Sequence, residues 1–107
     1  MHAIEVTQDE FVAAHESGAP VVDVRSPEEY AAGHVPGAVN IPLGEVDARS
    51  GEFGAASPMH VICQSGGRSM KASESLADRG VQALSVAGGT KGWIDAGRPV
   101  VTGPAPR

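Results

Sequence analysis

The stretch Met59-His60-Val61-Ile62-Cys63-Gln64-Ser65-Gly66-Gly67-Arg68-Ser69 decides the fold. An apolar run ends in a glycine-rich turn that opens into a helical pattern, so it reads as a strand feeding a helix. At such a junction several backbone N–H groups and the positive helix N-terminus point at whatever occupies the turn. The occupant is Cys63, the only cysteine of the chain. Thiolate is the nucleophilic form of cysteine, and a helix N-terminus with a neighbouring arginine lowers a thiol pKa from about 8.5 toward or below neutrality. Cys63 is therefore the candidate nucleophile, and Gln64, Ser65, Gly66, Gly67, Arg68 and Ser69 form the candidate anion-binding loop. The plainer reading, a buried cysteine acting as a small hydrophobe, leaves two features without a purpose. These are the paired glycines, which let the amides turn inward, and the charge of Arg68 within the same loop.

On either side of this stretch, short apolar runs alternate with helix signals, the pattern of an α/β layer. His2 to Val6 reads as a first strand. Thr7, three residues before Glu10, has the capping-box spacing of a helix running to about Glu16 and stopped by Gly18. Val21 to Val24 is a second strand, after which Ser26-Pro27-Glu28-Glu29 places a cap, a first-position proline and a third-position glutamate ahead of a short helix closed by Gly33. Ala38 to Ile41 and Met59 to Ile62 are the third and fourth strands. Between them Pro42 to Pro58, with Gly44, Gly51 and Gly54, is long for a bare connection, so a turn of helix is expected near Gly44 to Arg49. Arg68 to Arg79 is the strongest helix; its inward face is Ser69, Ala72, Ser73, Leu76 and Ala77, and Gly80 ends it.

Ala83 to Val86 makes a fifth strand, Gly88-Gly89 turns the chain, and Thr90 caps a short helix carrying Trp93 before Gly97. Residues 102–107 hold two prolines and no apolar periodicity and read as a frayed tail. The expected fold is a mainly parallel five-stranded sheet with helices on both faces. In such sheets ligands gather at the carboxyl ends of the strands, where Cys63 falls.

A chain of 107 residues suits one domain with its own core. A lone cysteine excludes an internal disulfide and a multi-cysteine zinc site. His2, His15, His34 and His60 lack paired ligand spacing, so no metal or other cofactor is expected. The formal charge of −5, with eight Lys and Arg scattered among thirteen acids, gives no basic field for nucleic acid. No charged-then-apolar leader follows Met1 and no apolar run of about 20 residues occurs, so neither secretion nor a membrane partner is expected. A free reactive thiol suits the reducing cytoplasm.

Four segments together carry a family resemblance: Val21-Val22-Asp23-Val24-Arg25-Ser26-Pro27-Glu28-Glu29-Tyr30, Gly33-His34-Val35-Pro36-Gly37-Ala38-Val39-Asn40-Ile41-Pro42, Cys63 to Ser69, and Gly88-Gly89-Thr90 with Trp93. In this order they resemble a single-domain rhodanese of the thiosulfate sulfurtransferase-like family, over essentially the whole chain. The resemblance implies a rhodanese-like α/β domain over residues 1–101, with 102–107 as a flexible tail. It also implies sulfurtransferase chemistry through a Cys63 persulfide. The donor would be a small sulfur-containing anion, thiosulfate or a persulfide. The acceptor would be cyanide in the laboratory and a thiol, or a protein sulfur acceptor, in the cell.

In that mechanism the amides of Gln64 through Ser69 stabilise the sulfur anion, and Arg68 orients the donor and helps to keep Cys63 ionised. Asp23 and Arg25 are expected to pair charges rather than react, Arg25 with Glu28 or Glu29. His34 and Trp93 read as structural and Lys71 as a solvated charge. Two other readings compete. A rhodanese-fold phosphatase or arsenate reductase is disfavoured, because those phosphatases place five residues between Cys and Arg where Cys63 and Arg68 enclose four. A persulfide carrier for a partner protein needs the same cysteine as the enzyme and stays open.

Overall fold

Two reciprocal caps start the first two helices. Thr7 Oγ1 accepts from Glu10 N while Glu10 Oε1 accepts from Thr7 N, and Ser26 and Glu29 repeat the arrangement. Each box satisfies N–H groups that a helix start leaves unpaired. The computed structural model describes residues 4–53 and 58–107; His2 and Gly54 lie outside them. The elements in chain order are β1 (Ile4–Val6), α1 (Gln8–Glu16), β2 (Val21–Asp23), α2 (Pro27–Ala32), β3 (Val39–Asn40), β4 (Met59–Ile62), α3 (Gly67–Asp78), β5 (Ala83–Val86) and α4 (Gly89–Asp95).

The strands form one five-stranded parallel sheet in the order β1-β5-β4-β2-β3. Alternation along β4 divides its side chains between two cores. Met59, Val61 and Cys63 join Ala72 and Leu76 of α3 on one face, while Ile62 joins Phe11 of α1, Tyr30 of α2 and Trp93 of α4 on the other. Helices thus cover both faces, as expected, and the buried residues of α3 are Ser69, Ala72, Ser73, Leu76 and Ala77, the face read from sequence. Because all strands run one way, the residues after β2, β4 and β5 meet at one edge with Cys63 in the middle. No helix among the described residues is long and apolar enough to cross a membrane.

Three expectations differ from the structure. The helical turn near 44–49 takes the form of 3-10 turns at Leu43–Glu45 and Ser50–Glu52. Thr90 lies inside α4, whose N-cap is Gly88 at φ +76; a left-handed turn brings the chain into the helix two residues earlier than the threonine signal implied. The tail does not fray. Val101 bridges His34, Gly103 N donates to Ala31 O at 2.8 Å, and Gly37 N donates to Pro106 O at 2.9 Å.

The buried His34 ring anchors that strap. It stacks on Tyr30 at 3.6 Å, and its Nδ1 and Nε2 lie 2.8 and 2.9 Å from Tyr30 O and Ala105 O. Deleting residues 102–107 strands the Gly37 amide and one His34 nitrogen. The expected cost is about 2 kcal/mol, roughly 8 °C in Tm. A melting curve identical to that of the full chain would return the segment to the status of a loose tail.

Candidate functional site

Cys63 leaves β4 into a loop that the neighbouring turn clamps from behind. Thr90 N donates to Cys63 O at 2.8 Å and Lys91 N donates to Gln64 O at 3.0 Å. With these carbonyls tied to α4, the loop's amides are left for the other side. Gly66, at φ +121, makes the turn into α3 and brings its N–H to 3.1 Å from Cys63 Sγ. A φ of that sign strains any residue with a Cβ, so Gly66 is required there. Gly67 is not: it begins the helix, and a Cβ built on it meets nothing within 4 Å.

Cys63 is 1% exposed. Burial alone pushes its thiol up, since a charged sulfur loses water. Hydrogen bonds from the Ser69 hydroxyl and from the amides of Ser69, Gly66 and Ser65 outweigh that, and the net pKa is below the ordinary thiol value. Ser69 Oγ sits 3.5 Å from Sγ, donates to Gly66 O at 3.0 Å, and contacts Ser85 Oγ of β5 at 2.9 Å. Both serines are fully buried. Ser69 has one proton, which goes either to Gly66 O or to a sulfur anion, while Ser85 can donate to the Ser69 oxygen in both cases.

The arginines are arranged differently from the sequence expectation. Arg68 Nη1 and Nη2 donate to Glu29 Oε1 and Oε2 at 2.7 and 2.9 Å, a bidentate pair between α3 and α2. The hydroxyl and the amides lead in lowering the Cys63 pKa, and the Arg68 guanidinium adds a charge interaction with the sulfur. Arg25 does not pair with Glu28 or Glu29. It is 3% exposed and its Nε and Nη2 grip both carboxylate oxygens of Asp23 at 2.8 to 3.1 Å. Two further bonds extend outward: Nη2 reaches Gly33 O at 2.8 Å and Nη1 reaches Gln64 Oε1 at 3.3 Å. A buried guanidinium therefore fixes the Gln64 side chain and the chain reversal after α2.

Of the predicted loop residues, Ser65, Gly66 and Ser69 surround the sulfur, Gln64 faces Arg25, and Arg68 faces Glu29. Lys71 is an exposed residue of α3. Sequence reasoning missed Ser85 and the roles of Arg25 and Glu29 beside the loop. A serine inside the strand Ala83–Val86 was the one available signal for the first, since a polar residue buried in a strand needs a partner. A cleft of about 440 Å³ opens beside the loop, lined by Arg25, Glu29, Ala32, Gly33, Gln64 and Ile94.

This geometry, a sulfur inside a ring of amides at the carboxyl edge of a parallel sheet, has close parallels. Residues 7–96 match the family described as Rhodanese-like domain. The chain is 34% identical over 110 residues to "Thiosulfate sulfurtransferase 16, chloroplastic" of Arabidopsis thaliana, covering 91% of this chain and 88% of that protein. It is 33% identical over 82 residues to a protein of Allochromatium vinosum named "Sulfurtransferase", covering 76% and 77%. The crystal structure of a rhodanese-related protein from Thermoplasma volcanium superposes with a TM-score of 0.87 at 30% identity, covering 94% of this chain and 99% of that one.

Proposed function

This chain belongs to the rhodanese-like domain family, and on that premise we propose that it is a sulfurtransferase in which Cys63 carries a sulfane sulfur as a persulfide between donor and acceptor. The observation that carries this reading is the Gly66 amide 3.1 Å from a sulfur whose pKa lies below the ordinary thiol value. In the first step the Cys63 thiolate attacks the outer sulfur of the donor. With thiosulfate, the bond to the oxidised sulfur breaks and its electron pair leaves with sulfite. In the second step cyanide or a thiol, including a thiol on a partner protein, attacks the outer persulfide sulfur and the Cys63 thiolate departs. One transfer is thus divided between two displacements through a covalent intermediate.

The loop amides and the start of α3 stabilise the charge at sulfur throughout, since they are already oriented before the donor arrives. No proton leaves a carbon or an alcohol, so no further general base is called for. A thiol that must stay free suits a reducing compartment such as the cytoplasm. Incubation with thiosulfate and cyanide is expected to release thiocyanate, measured as its ferric complex. Absence of thiocyanate with thiosulfate and with organic thiosulfonates alike would overturn the proposal.

Ser69→Ala tests the hydroxyl separately. It removes a donor that favours the thiolate, so the pKa of Cys63 rises and the iodoacetamide rate profile moves to higher pH. At a fixed neutral pH the variant is therefore alkylated more slowly than wild type. Superimposable profiles would show that the amides alone set the thiol's acidity.

A further inference from the structure

Arg25 lines the cleft and Arg68 reaches it through Glu29, and each is paired with a carboxylate. Arg25 is held by Asp23 and Arg68 by Glu29, and Lys91, whose amide holds the loop, has its Nζ 2.6 Å from Asp95 Oδ2. A donor entering beside Gln64 thus meets amides and balanced ion pairs rather than a free positive charge. The cleft wall is partly apolar. Ile94 is 47% exposed there, next to exposed Ala32, and offers an apolar contact to a donor in the cleft.

We propose that Glu29 sets the donor range of this site: by neutralising Arg68 it disfavours the inorganic thiosulfate dianion and favours organic donors of single negative charge whose apolar group lies on Ile94. This deepens the sulfur-transfer reading and rests on it. For an organic thiosulfonate the Cys63 thiolate forms the new S–S bond while the bond to the sulfonyl sulfur breaks, and that electron pair leaves with the sulfinate. Two negative charges stand on each side of this step; with thiosulfate three must be held at once. The third is the charge that a free Arg68 would offset.

Three features support the role of Glu29. The hydrogen bonds from Arg68 hold its carboxyl at about 2 against the cost of burial, so the pair stays ionised across the working pH range. The pair is bidentate, the geometry that competes best with an incoming oxyanion for the same guanidinium. Both side chains are about one-third exposed, at 39% and 36%, so a donor can reach Arg68, and solvent keeps the expected effect to several-fold.

The test is Glu29→Gln, because glutamine keeps the capping oxygen toward Ser26 while removing the charge and the second oxygen that Arg68 Nη2 holds. Steady-state thiocyanate formation is measured with thiosulfate, methanethiosulfonate and benzenethiosulfonate at constant ionic strength. Comparing variants donor by donor cancels the donors' intrinsic reactivity. Glu29→Gln is expected to raise kcat/KM for thiosulfate about fivefold through KM, and to raise it less for methanethiosulfonate. Adding Arg68→Ala in the same chain is expected to erase the gain. Ile94→Ser is expected to lower kcat/KM for benzenethiosulfonate more than for methanethiosulfonate, whose apolar group is smaller. If all three donors react and their ratios are the same in wild type and Glu29→Gln, the donor proposal falls while the sulfur-transfer reading stands. If no donor yields thiocyanate in wild type, both fall.

Discussion

Cys63→Ser is expected to lower thiocyanate formation at least about a thousandfold with every donor, while the fold survives. A serine hydroxyl is not ionised at neutral pH and is a poor nucleophile toward sulfane sulfur, so the first displacement has no attacking group. The exchange replaces sulfur by oxygen in a site with polar partners. Gly66 N can still donate to the new oxygen, and Ser69 Oγ lies alongside it. The thermal midpoint is therefore expected within a few degrees of wild type, the scale of a change of about 1 kcal/mol. Residual turnover of a tenth or more would mean that sulfur passes through a group other than the chain's single cysteine.

The second large effect is structural and falls on a residue that never touches substrate. Gly89 lies at φ +57, and a Cβ built on it would sit 2.4 Å from Cys63 O and 2.6 Å from Gln64 O. Neither oxygen can move aside freely, because Thr90 N and Lys91 N bind these same carbonyls. Gly89→Ala must displace either the start of α4 or the loop that aims the amides at sulfur. A loss of about 3 kcal/mol or more is expected, together with slower alkylation of Cys63 in whatever remains folded. Gly67→Ala is the matched control for stability: its φ is ordinary and its Cβ has open space. Equal melting temperatures for Gly89→Ala and wild type would contradict the close approach of the two loops.

What could be read without coordinates is what local chemistry specifies. The two capping boxes are complete within four residues each, so Thr7 with Glu10 and Ser26 with Glu29 could be placed from spacing alone. Strand β4 and the inward face of α3 follow from an apolar run and a helical period that no competing signal disturbs. The partners of the arginines are another matter. Arg68 and Glu29 are 39 residues apart and meet because α2 and α3 both begin at the carboxyl edge of the sheet. Glu29 was legible as a cap, yet its charge is spent on a second element that the spacing could not reveal. For Arg25, Glu28 and Glu29 just ahead of it lost to Asp23, two residues behind it, because burial leaves a guanidinium only the carboxylate that is buried with it.

Ser85 was hidden for a related reason. Its hydroxyl matters only because β5 lies beside β4 and α3 packs across both, a juxtaposition that sheet order creates. The C-terminal strap escaped notice because its bonds are made by backbone carbonyls of Ala105 and Pro106 to Gly37 N and the His34 ring, groups that carry no side-chain signal of their own. In both cases the residues at the site were visible one at a time, and the contacts between them were set by topology.

The most direct test of the central claim is the intact mass of the protein after incubation with thiosulfate or benzenethiosulfonate, then again after cyanide, for wild type and Cys63→Ser. A gain of about 32 Da, one sulfur atom, that cyanide removes and the variant lacks is the predicted result. No gain in wild type with either donor, or the same gain in the variant, would contradict a persulfide on Cys63.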